Sequence, residues 1–255
     1  MTMNIENNVY IVTGGSKGFG LAIAESLVEQ GTKVGLISRG QASLDEAVNK
    51  LGSENALGVS ADVANSSALS SAFKRIRSHF GRLDGLINNA GLARPAKAER
   101  LSDEDVILQI NTNLLGTILG CKAVIPLLRE SENPRIINIS SATVQHFDEA
   151  GHMSVYSAVK AGAERFTREL AVELLDDNIG VTIIRPGYAA TEFATGWNDE
   201  AVLDSFKAWK DMGRYMRTGM KTKDVAGAVL YALSQPRGVA AELLEIRPNK
   251  RTPKY

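Results

Sequence analysis

Short apolar runs alternate with longer segments of helical periodicity along the chain. Seven runs rich in β-branched and other apolar residues are predicted as strands, at 9–12, 33–37, 56–60, 83–87, 135–139, 181–184 and 243–246. Between the first six, apolar residues recur at helical spacing and predict helices over about 18–30, 41–51, 66–80, 102–130 and 154–176. The chain is therefore predicted to consist of β-α-β units.

This alternation of strands and helices predicts the fold class. Helices of this length between strands imply right-handed crossovers and a parallel sheet. Runs such as Tyr10-Ile11-Val12 are apolar on both faces, which suits a sheet covered by helices on each side. We therefore expect an α/β fold with a doubly wound, mostly parallel seven-stranded sheet of the Rossmann type. No repeat or linker divides the chain, so residues 1–255 are predicted as a single domain with its ligand site at the carboxyl ends of the strands.

Composition and charge exclude several classes of partner. Lys+Arg 29 balance Asp+Glu 29, so no long-range field attracts nucleic acid or an anionic membrane. The N-terminus lacks the pattern of a signal peptide, and no window approaches about 18 consecutive apolar residues, so no bilayer-spanning helix is expected. The single cysteine, Cys121, lies in an apolar run and is interpreted as a small buried residue. These features predict a cytoplasmic protein.

A glycine-rich loop joins the first predicted strand to an Ala/Leu-rich helix. Glycines here allow a tight turn and close approach of the backbone to a pyrophosphate, which a helix N-terminus attracts. The loop reads Thr13-Gly14-Gly15-Ser16-Lys17-Gly18-Phe19-Gly20, a T-G-x-x-x-G-x-G spacing. In this spacing, and in further motifs as far as about residue 191, the chain resembles the short-chain dehydrogenase/reductase family. The resemblance implies that the cofactor is bound by Gly14, Ser16, Lys17, Gly18, Phe19 and Gly20.

The end of the second predicted strand indicates which nicotinamide cofactor the chain would take. A site for NAD commonly has Asp or Glu there to bind the ribose 2′-hydroxyl, whereas this chain has Ser38 and Arg39. A hydroxyl and a guanidinium suit a 2′-phosphate, and Lys17 adds a positive charge on the same side. Basic residues at these places imply NADP(H) in the family. The alternative is that Lys17 and Arg39 are solvated surface charges.

Three further segments match cofactor motifs of the family. Asp62-Val63 resembles a pair that contacts adenine, and Asn88-Asn89-Ala90-Gly91 resembles a motif that stabilises the sheet and borders the ribose. The segment from Pro186 to Thr191 resembles a motif that binds the nicotinamide carboxamide. The resemblance thus adds to the expected cofactor site Asp62, Val63, Asn89, Ala90, Gly91, Pro186, Gly187, Ala189 and Thr191.

Tyr156 and Lys160 are four residues apart in a segment of helical period, which places both side chains on one helix face. Hydride transfer to a carbonyl builds negative charge on oxygen, and a proton must arrive with it. Tyrosine is a poor acid at neutral pH because its ordinary pKa is about 10. A fixed ammonium and an oxidised nicotinamide would lower that pKa. Tyr156 is therefore the candidate proton-transfer residue, with Lys160 also expected to hold the nicotinamide ribose.

A serine at the end of the fifth predicted strand belongs to the catalytic set that the resemblance implies. That strand ends in Asn138-Ile139-Ser140-Ser141. Ser141 best matches the family's catalytic serine, which would hydrogen-bond the substrate oxygen, and Ser140 is the alternative. The following loop, 142–155, is longer than the family's usual spacing, so its pocket contacts are left open.

An asparagine in the middle of the long predicted helix completes the set. Asn111 and Asn113 both lie there, where asparagine is a poor helix former. Asn113, followed by Gly116, matches the family's active-site asparagine, which is thought to hold a water that relays protons to Lys160. Asn111 is the competing assignment. The resemblance thus predicts Asn113, Ser141, Tyr156 and Lys160 as the catalytic residues.

An amphipathic segment at about 192–217 is expected, from the resemblance, to cover the substrate. Its apolar side chains favour a hydrophobic ketone, aldehyde or secondary alcohol; they are Phe193, Trp197, Phe206, Trp209, Met212, Tyr215 and Met216. No acidic cluster at ligand spacing accompanies His79, His146 and His152, so no metal site is expected.

Assembly follows from the two longest predicted helices. Segments 102–130 and 154–176 carry small and apolar residues on more than one side. Family members use this pair in a four-helix contact, so a homodimer or homotetramer is expected. The C-terminal Glu245-Ile246-Arg247-Pro248 departs from the family's frequent D-G-G ending, which leaves the tetramer contact open.

These patterns predict an NADP(H)-dependent oxidoreductase that acts on a small molecule, of the carbonyl reductase type. A 3-oxoacyl-thioester reductase would share the catalytic residues, but would need a basic patch for its carrier; the candidates are Arg94, Lys97 and Arg100. A non-catalytic NADPH-binding regulatory protein would need the glycine loop but not the serine, tyrosine and lysine together. A sugar-nucleotide epimerase would have the spacing T-G-x-x-G-x-x-G, which is absent.

Overall fold

Seven strands form one sheet in the computed structural model, which describes residues 4–146, 151–189, 197, 199–211 and 219–249. The strands are β1 Val9–Thr13, β2 Lys33–Ser38, β3 Ala56–Ser60, β4 Gly85–Asn88, β5 Arg135–Ile139, β6 Gly180–Pro186 and β7 Leu243–Ile246. Their order is β3-β2-β1-β4-β5-β6-β7, and within the described ranges every neighbouring pair is parallel. The predicted parallel sheet is confirmed, and the bounds differ most at β4 and β6.

The helices of the described residues are α1 Gly18–Glu29, α2 Gln41–Leu51, α3 Ser66–Phe80, α4 Asp103–Ile110, α5 Gly116–Leu128, α6 Ser154–Glu173, α7 Asp199–Asp211 and α8 Thr222–Leu233. The long helix predicted over 102–130 is not one α-helix, because a π-helical turn, Asn111–Leu115, separates α4 from α5. Sequence periodicity did not predict α8, which packs against α1.

Alternation along β1 sends successive side chains to opposite faces of the sheet. Val9 and Ile11 belong to a core that includes residues of α3, α5 and α6. Tyr10 and Val12 belong to a second core, which includes residues of α1, α2 and α8. These four side chains of β1 are all buried because helices cover both faces of the sheet. The predicted doubly wound architecture is therefore confirmed.

The strand order places a crevice beside β1. This strand lies between β2 and β4, so the chain proceeds outward in one direction from β1 to β3 and in the other direction from β4. At such a switch point the connections leave toward opposite faces, and a crevice opens at the carboxyl ends of the strands. The glycine-rich loop after β1 and the Asn-Asn-Ala-Gly segment after β4 both lie at this edge.

The combined helical run from α4 to α5 bears on the expectation that no helix spans a bilayer. Asp103–Leu128 is long and apolar enough, by length and composition, to cross a membrane. The expectation was based on the absence of about 18 consecutive apolar residues. Core helices of globular domains share this length and composition, and in this fold α5 packs against α3 and α4 packs against α6.

Candidate active site

The loop after β1 has the backbone shape of an anion cradle. Gly14 and Gly18 have positive φ angles of 64° and 56°, a region that side chains with a Cβ rarely adopt. A Cβ on Gly20 would collide with the Gly14 carbonyl, whereas one on Gly18 would meet open space. Lys17 is the N-cap of α1, whose first amides have no helical partner. The residues present therefore fit a pyrophosphate at the N-terminus of α1.

The Asn-Asn-Ala-Gly segment fastens the end of β4 to this loop. The Thr13 hydroxyl accepts hydrogen bonds of 3.0 Å from the backbone amides of Asn89 and Ala90. The Asn89 side chain in turn donates to the Thr13 carbonyl at 2.9 Å. Gly91, the last residue of the segment, lies between Asn113 and Lys160: an added Cβ would be 2.8 Å from Asn113 Oδ1 and 3.3 Å from Lys160 Nζ. This segment therefore connects the glycine loop to the two predicted catalytic residues.

The two basic residues predicted to bind the 2′-phosphate lie on loops at this edge of the sheet, Lys17 directly before α1 and Arg39 directly after β2. Lys17 and Arg39 are exposed, and within the described ranges neither has an ion-pair partner. The Arg39 carbonyl accepts a 2.9 Å hydrogen bond from Ser60, and the Ser38 hydroxyl donates to the Gly40 carbonyl at 3.4 Å. Both cations thus remain available to a phosphate at this edge.

The remaining adenine-side and carboxamide-side residues lie on loops that follow β3 and β6. The Asp62 carboxylate accepts a 2.9 Å hydrogen bond from the backbone of Ala64, and the buried Val63 lies beside Gly116. After Pro186 ends β6, the Gly187 amide donates to the Ile246 carbonyl at 2.8 Å. Ala189 forms a parallel bridge with Met220. Thr191 lies outside the described residues. Ser16 and Phe19 are half-buried in the glycine loop.

Asn113 is fixed in the π-helical turn. Its amide donates to the carbonyls of Leu92 and Gln109, at 2.8 and 2.9 Å, and its oxygen accepts from the Leu92 amide at 3.2 Å. Asn113 is fully buried, whereas Asn111 at the start of the turn is only half-buried. π-Helical turns inside α-helices are frequent at functional sites. Of the two asparagines, Asn113 is the one that lies beside Lys160.

Ser141, Tyr156 and Lys160 come together where β5 ends against α6. The Lys160 ammonium donates a 2.8 Å hydrogen bond to the Ile139 carbonyl and lies 5.9 Å from the centre of the Tyr156 ring. The Tyr156 hydroxyl is hydrogen-bonded to Ser141. The other serine, Ser140, donates to Glu164 instead, at 2.6 Å. Ser141 is thus the serine in contact with the tyrosine.

Burial dominates the electrostatics of this pair. It raises the pKa of Tyr156 to about 12, and the hydrogen bond from Ser141 acts in the opposite direction. Burial likewise lowers the pKa of Lys160 to about 8, against the charge of Glu164. The sequence had led us to expect a lowered tyrosine pKa. That expectation is wrong for the protein chain alone, because desolvation outweighs the hydrogen bond from Ser141.

The described part of the segment predicted to cover the substrate packs beside Tyr156. Trp197 and Trp209 pack on a cluster formed by Ala93, Met153 and Tyr156. The Trp209 indole donates a 2.7 Å hydrogen bond to the Gly151 carbonyl, which ties α7 to the loop before α6. The other cover residues named from the sequence divide into Phe206, which is exposed on α7, and Phe193, Met212, Tyr215 and Met216, which lie outside the described residues.

Several residues of the site were not identified from the sequence. Met153 and Ala93 complete the apolar wall beside Tyr156, and no local motif marks them. Glu164 lies one helical turn after Lys160 on the same face of α6, and this spacing could have indicated it. His146 contacts Glu245 at 2.6 Å, so it does not stand alone on the loop. No group of three or more His, Cys, Asp or Glu residues that could hold a metal occurs in the described part of the chain.

Comparison with known proteins assigns the family. The model of the short chain dehydrogenase family matches residues 8–201. The chain belongs to this family. Membership establishes an oxidoreductase that binds a nicotinamide cofactor and acts on a small molecule, and it confirms the resemblance recognised in the glycine, serine, tyrosine and lysine motifs.

Relatives of known sequence and structure include reductases and a dehydrogenase. Carbonyl reductase family member 4 of Danio rerio is 36% identical over 226 residues, 89% of this chain and 91% of that protein. The 3-oxoacyl-[acyl-carrier-protein] reductase of Homo sapiens is 31% identical over 230 residues, 90% of this chain and 92% of that protein. An alcohol dehydrogenase of Thermococcus sibiricus, solved with 5-hydroxy-NADP, superposes with a TM-score of 0.82 at 25% identity, covering 98% of this chain and all of the other.

Proposed function

We propose that this short-chain dehydrogenase uses NADP(H) to interconvert a ketone or aldehyde and an alcohol, with Tyr156 as the acid and base. The observation that carries the proposal is the hydrogen bond between Tyr156 and Ser141 in a buried site that also contains the Lys160 ammonium. A phenol, a second hydroxyl and a cation close together can bind a carbonyl oxygen and deliver a proton to it.

Each residue has a separate role in this reaction. The nicotinamide, when bound, supplies or accepts the hydride. Ser141 and Tyr156 hydrogen-bond the substrate oxygen, and Tyr156 gives its proton to that oxygen during reduction or removes it during alcohol oxidation. Lys160 stabilises the resulting phenolate by its charge. Asn113, buried beside Lys160, would hold a water that returns the proton to the site.

The exposed cations at the edge of the sheet support NADP(H) over NAD(H). Arg39 follows β2 and Lys17 caps α1, so both flank the place where the ribose 2′-position is bound in doubly wound folds. No carboxylate stands at the end of β2 to bind a 2′-hydroxyl. The Thermococcus sibiricus relative was solved with an NADP derivative. A doubly charged 2′-phosphate would therefore be favoured at this position.

The aromatic cover supports a hydrophobic substrate. Trp197 and Trp209 meet edge to face, with ring centres 6.1 Å apart, and both pack on the cluster that contains Tyr156. Apolar walls with a few fixed polar groups are typical of small-molecule pockets. A carbonyl compound with an aromatic or aliphatic body would place its oxygen toward Ser141 and the rest against these rings.

A 3-oxoacyl-thioester reductase is the second candidate, because the human relative bears that name and aligns with 90% of this chain. Two of the three basic residues considered for an acidic carrier have a carboxylate nearby. Arg94 lies 3.2 Å from Asp105, and Arg100 lies 4.0 Å from Asp204. The third basic residue, Lys97, has no ion-pair partner among the described residues. This pairing favours a free small molecule as the substrate.

We expect the protein to be cytoplasmic and to form a homodimer or homotetramer. Exposed apolar side chains on α4 and the π-helical turn, Ile107, Ile110 and Leu115, support self-association. A sedimentation measurement of the purified chain tests it, with a monomer at micromolar concentration as the contrary result.

A screen of NADPH consumption tests the reaction class. Benzaldehyde, acetophenone and 2,3-butanedione represent aldehydes, ketones and diketones, and acetoacetyl-coenzyme A represents acyl thioesters. We expect turnover of at least one free carbonyl, and none with Tyr156→Phe. Faster reduction of the thioester than of every free carbonyl would favour the second candidate. NADPH binding without consumption of any probe would favour a regulatory protein.

A further inference from the structure

Three residues on one face of α6 each bind the end of β5. Tyr156, Lys160 and Glu164 follow one another at intervals of four residues, so their side chains lie in one row along the helix. They meet residues 139–141, three consecutive positions of the chain. The proposed function uses the first two members of the row, and the third has so far been given no role.

Glu164 is held by hydrogen bonds from two other residues. Its side chain is buried, and Ser140 donates to Oε1 at 2.6 Å. Arg185, at the end of β6, donates to both carboxylate oxygens, from Nε at 2.7 Å and from Nη2 at 2.5 Å. Bidentate pairs of this kind fix geometry as well as adding energy. One carboxylate thus joins the ends of β5 and β6 to α6.

We propose that Glu164 is a positioning residue for the reaction: it anchors the peptide that presents Ser141 to Tyr156 and the Ile139 carbonyl to Lys160, and its negative charge keeps that lysine in the ammonium form. This inference rests on the proposed function, since it assigns Glu164 a part in the same site. Glu164 touches neither substrate nor cofactor and acts through its neighbours.

The anchoring follows from the order of the contacts. Ser140 lies between the two residues whose groups face the catalytic pair. Releasing its side chain from Glu164 would free the backbone on both sides of it. A shift of even about 1 Å in catalytic groups lowers turnover markedly. The hydrogen bond from Ser140 to Glu164 therefore holds the neighbouring residues in place, so that Ile139 stays bonded to Lys160 and Ser141 to Tyr156.

The charges around Lys160 explain why the ammonium needs a counter-charge. On α6 it lies between Tyr156 and Glu164, and beyond Glu164 stands the cation of Arg185. Glu245 on β7 lies 3.5 Å from Arg185 and also contacts His146. Burial already lowers the pKa of Lys160 to about 8, and Glu164 acts in the opposite direction. Arg185 keeps a second carboxylate, Glu245, whereas the charge that supports the Lys160 ammonium is that of Glu164.

The pH profile of turnover distinguishes this role from a purely structural one. In Glu164→Gln, loss of the negative charge destabilises the ammonium. The alkaline limb of kcat for NADPH-dependent reduction should then move to lower pH by about one unit, and kcat at pH 8 should fall roughly fivefold. Reduction is followed with the most rapidly consumed probe of the carbonyl screen. Glu164→Asp, which keeps the charge, should lower kcat but leave the limb in place.

Glu169→Gln is the matched control. It makes the same substitution on the same helix, but Glu169 is exposed and pairs with Arg165 on the surface. Its pH profile should coincide with that of the wild type. An alkaline limb of Glu164→Gln that coincides with the wild type, in protein that binds NADPH normally, would overturn the inference.

Ser140→Ala carries the test if Glu164→Gln does not fold. It removes the hydrogen bond to Glu164 and leaves the buried ion pair of Glu164 and Arg185 in place. We expect kcat to fall about fivefold, the equivalent of one hydrogen bond. The alkaline limb of kcat should be unchanged. A kcat within twofold of the wild type would contradict the anchoring role. The two proposals fail in different ways. A wild type that reduces no carbonyl ends the proposed function. An active wild type whose alkaline limb is unchanged in Glu164→Gln ends only the role of Glu164.

Discussion

The Lys160 ammonium donates a 2.8 Å hydrogen bond to the Ile139 carbonyl, and this contact holds a cation inside the protein at the end of the central sheet. Lys160 is buried, and the burial lowers its pKa to about 8 from its ordinary value of 10.5. A charge kept in such a place opposes folding. The chain therefore carries at this position a group that lowers its stability.

Replacing this lysine by an apolar residue should stabilise the protein in a pH-dependent way. The folded-state pKa lies below the unfolded one, so the destabilisation is fully present below about pH 8 and vanishes above about pH 10.5. Lys160→Met should raise the free energy of unfolding at pH 7 by about 2 kcal/mol, after allowance for the lost hydrogen bond. Denaturant unfolding at pH 7 and pH 10 measures it, and the gain should shrink at the higher pH.

Lys122→Met provides the control for that experiment, because Lys122 is exposed on α5. It should give little gain at either pH. Equal stability of Lys160→Met and wild type at pH 7 would show that the buried ammonium does not oppose folding.

Ser141 should set the proton affinity of Tyr156. Its hydrogen bond lowers a tyrosine pKa that burial raises to about 12. In Ser141→Ala that pKa should rise further. The rate of alcohol oxidation increases with pH as the phenolate forms, and this increase should therefore move to higher pH. Turnover should also fall by about a hundredfold, as expected when a group that binds the reacting oxygen is removed. Ser141→Thr keeps the hydroxyl and should retain the wild-type limb; if Ser141→Ala does so too, the serine has no such role.

Arg39 and Lys17 should decide the choice of cofactor. Arg39→Asp combined with Lys17→Ser removes two cations from the proposed 2′-phosphate site and adds a carboxylate that suits a 2′-hydroxyl. The KM for NADPH should rise roughly tenfold to a hundredfold, and NADH should become the better cofactor. Arg75→Asp with Lys74→Ser makes the same change on the exposed face of α3 and should have no effect. Equal use of NADH and NADPH by the wild type would contradict the assignment.

Asn113 should affect turnover more than cofactor binding. It is buried in the π-helical turn beside Lys160, whereas Asn111 is only half-buried. Asn113→Ala should lower kcat at least tenfold with a smaller change in the dissociation constant for NADPH. Asn111→Ala, two residues away, should leave kcat close to that of the wild type. If the two variants have the same kcat, Asn113 does not relay protons.

The parts of the fold that local pattern encodes were predictable from the sequence. Each strand is a short apolar run, and Gly14 and Gly18 mark a turn that requires positive φ angles. Tyr156 and Lys160 share a helix face because of their spacing alone. The helix α8 was missed, although its buried residues Val225, Val229 and Leu233 recur at helical spacing.

What the sequence did not reveal depends on contacts between distant segments. The bond from Ser140 to Glu164 joins β5 to α6, and Asp105 pairs with Arg94, one of the three basic residues considered for a carrier. No local periodicity of the sequence marks the π-helical turn at Asn111–Leu115. For the protein chain alone, the predicted direction of the Tyr156 pKa shift was wrong, because the degree of burial cannot be derived from helical spacing.

Single-turnover reduction by Tyr156→Phe, compared with the wild type, tests the central claim most directly. The substitution removes one hydroxyl and keeps the ring that packs against Met153, so the variant should bind NADPH with an unchanged dissociation constant. Hydride transfer to a carbonyl accepted by the wild type should be slower by at least a thousandfold. A rate of hydride transfer within tenfold of the wild type would contradict the assignment of Tyr156 as the proton donor.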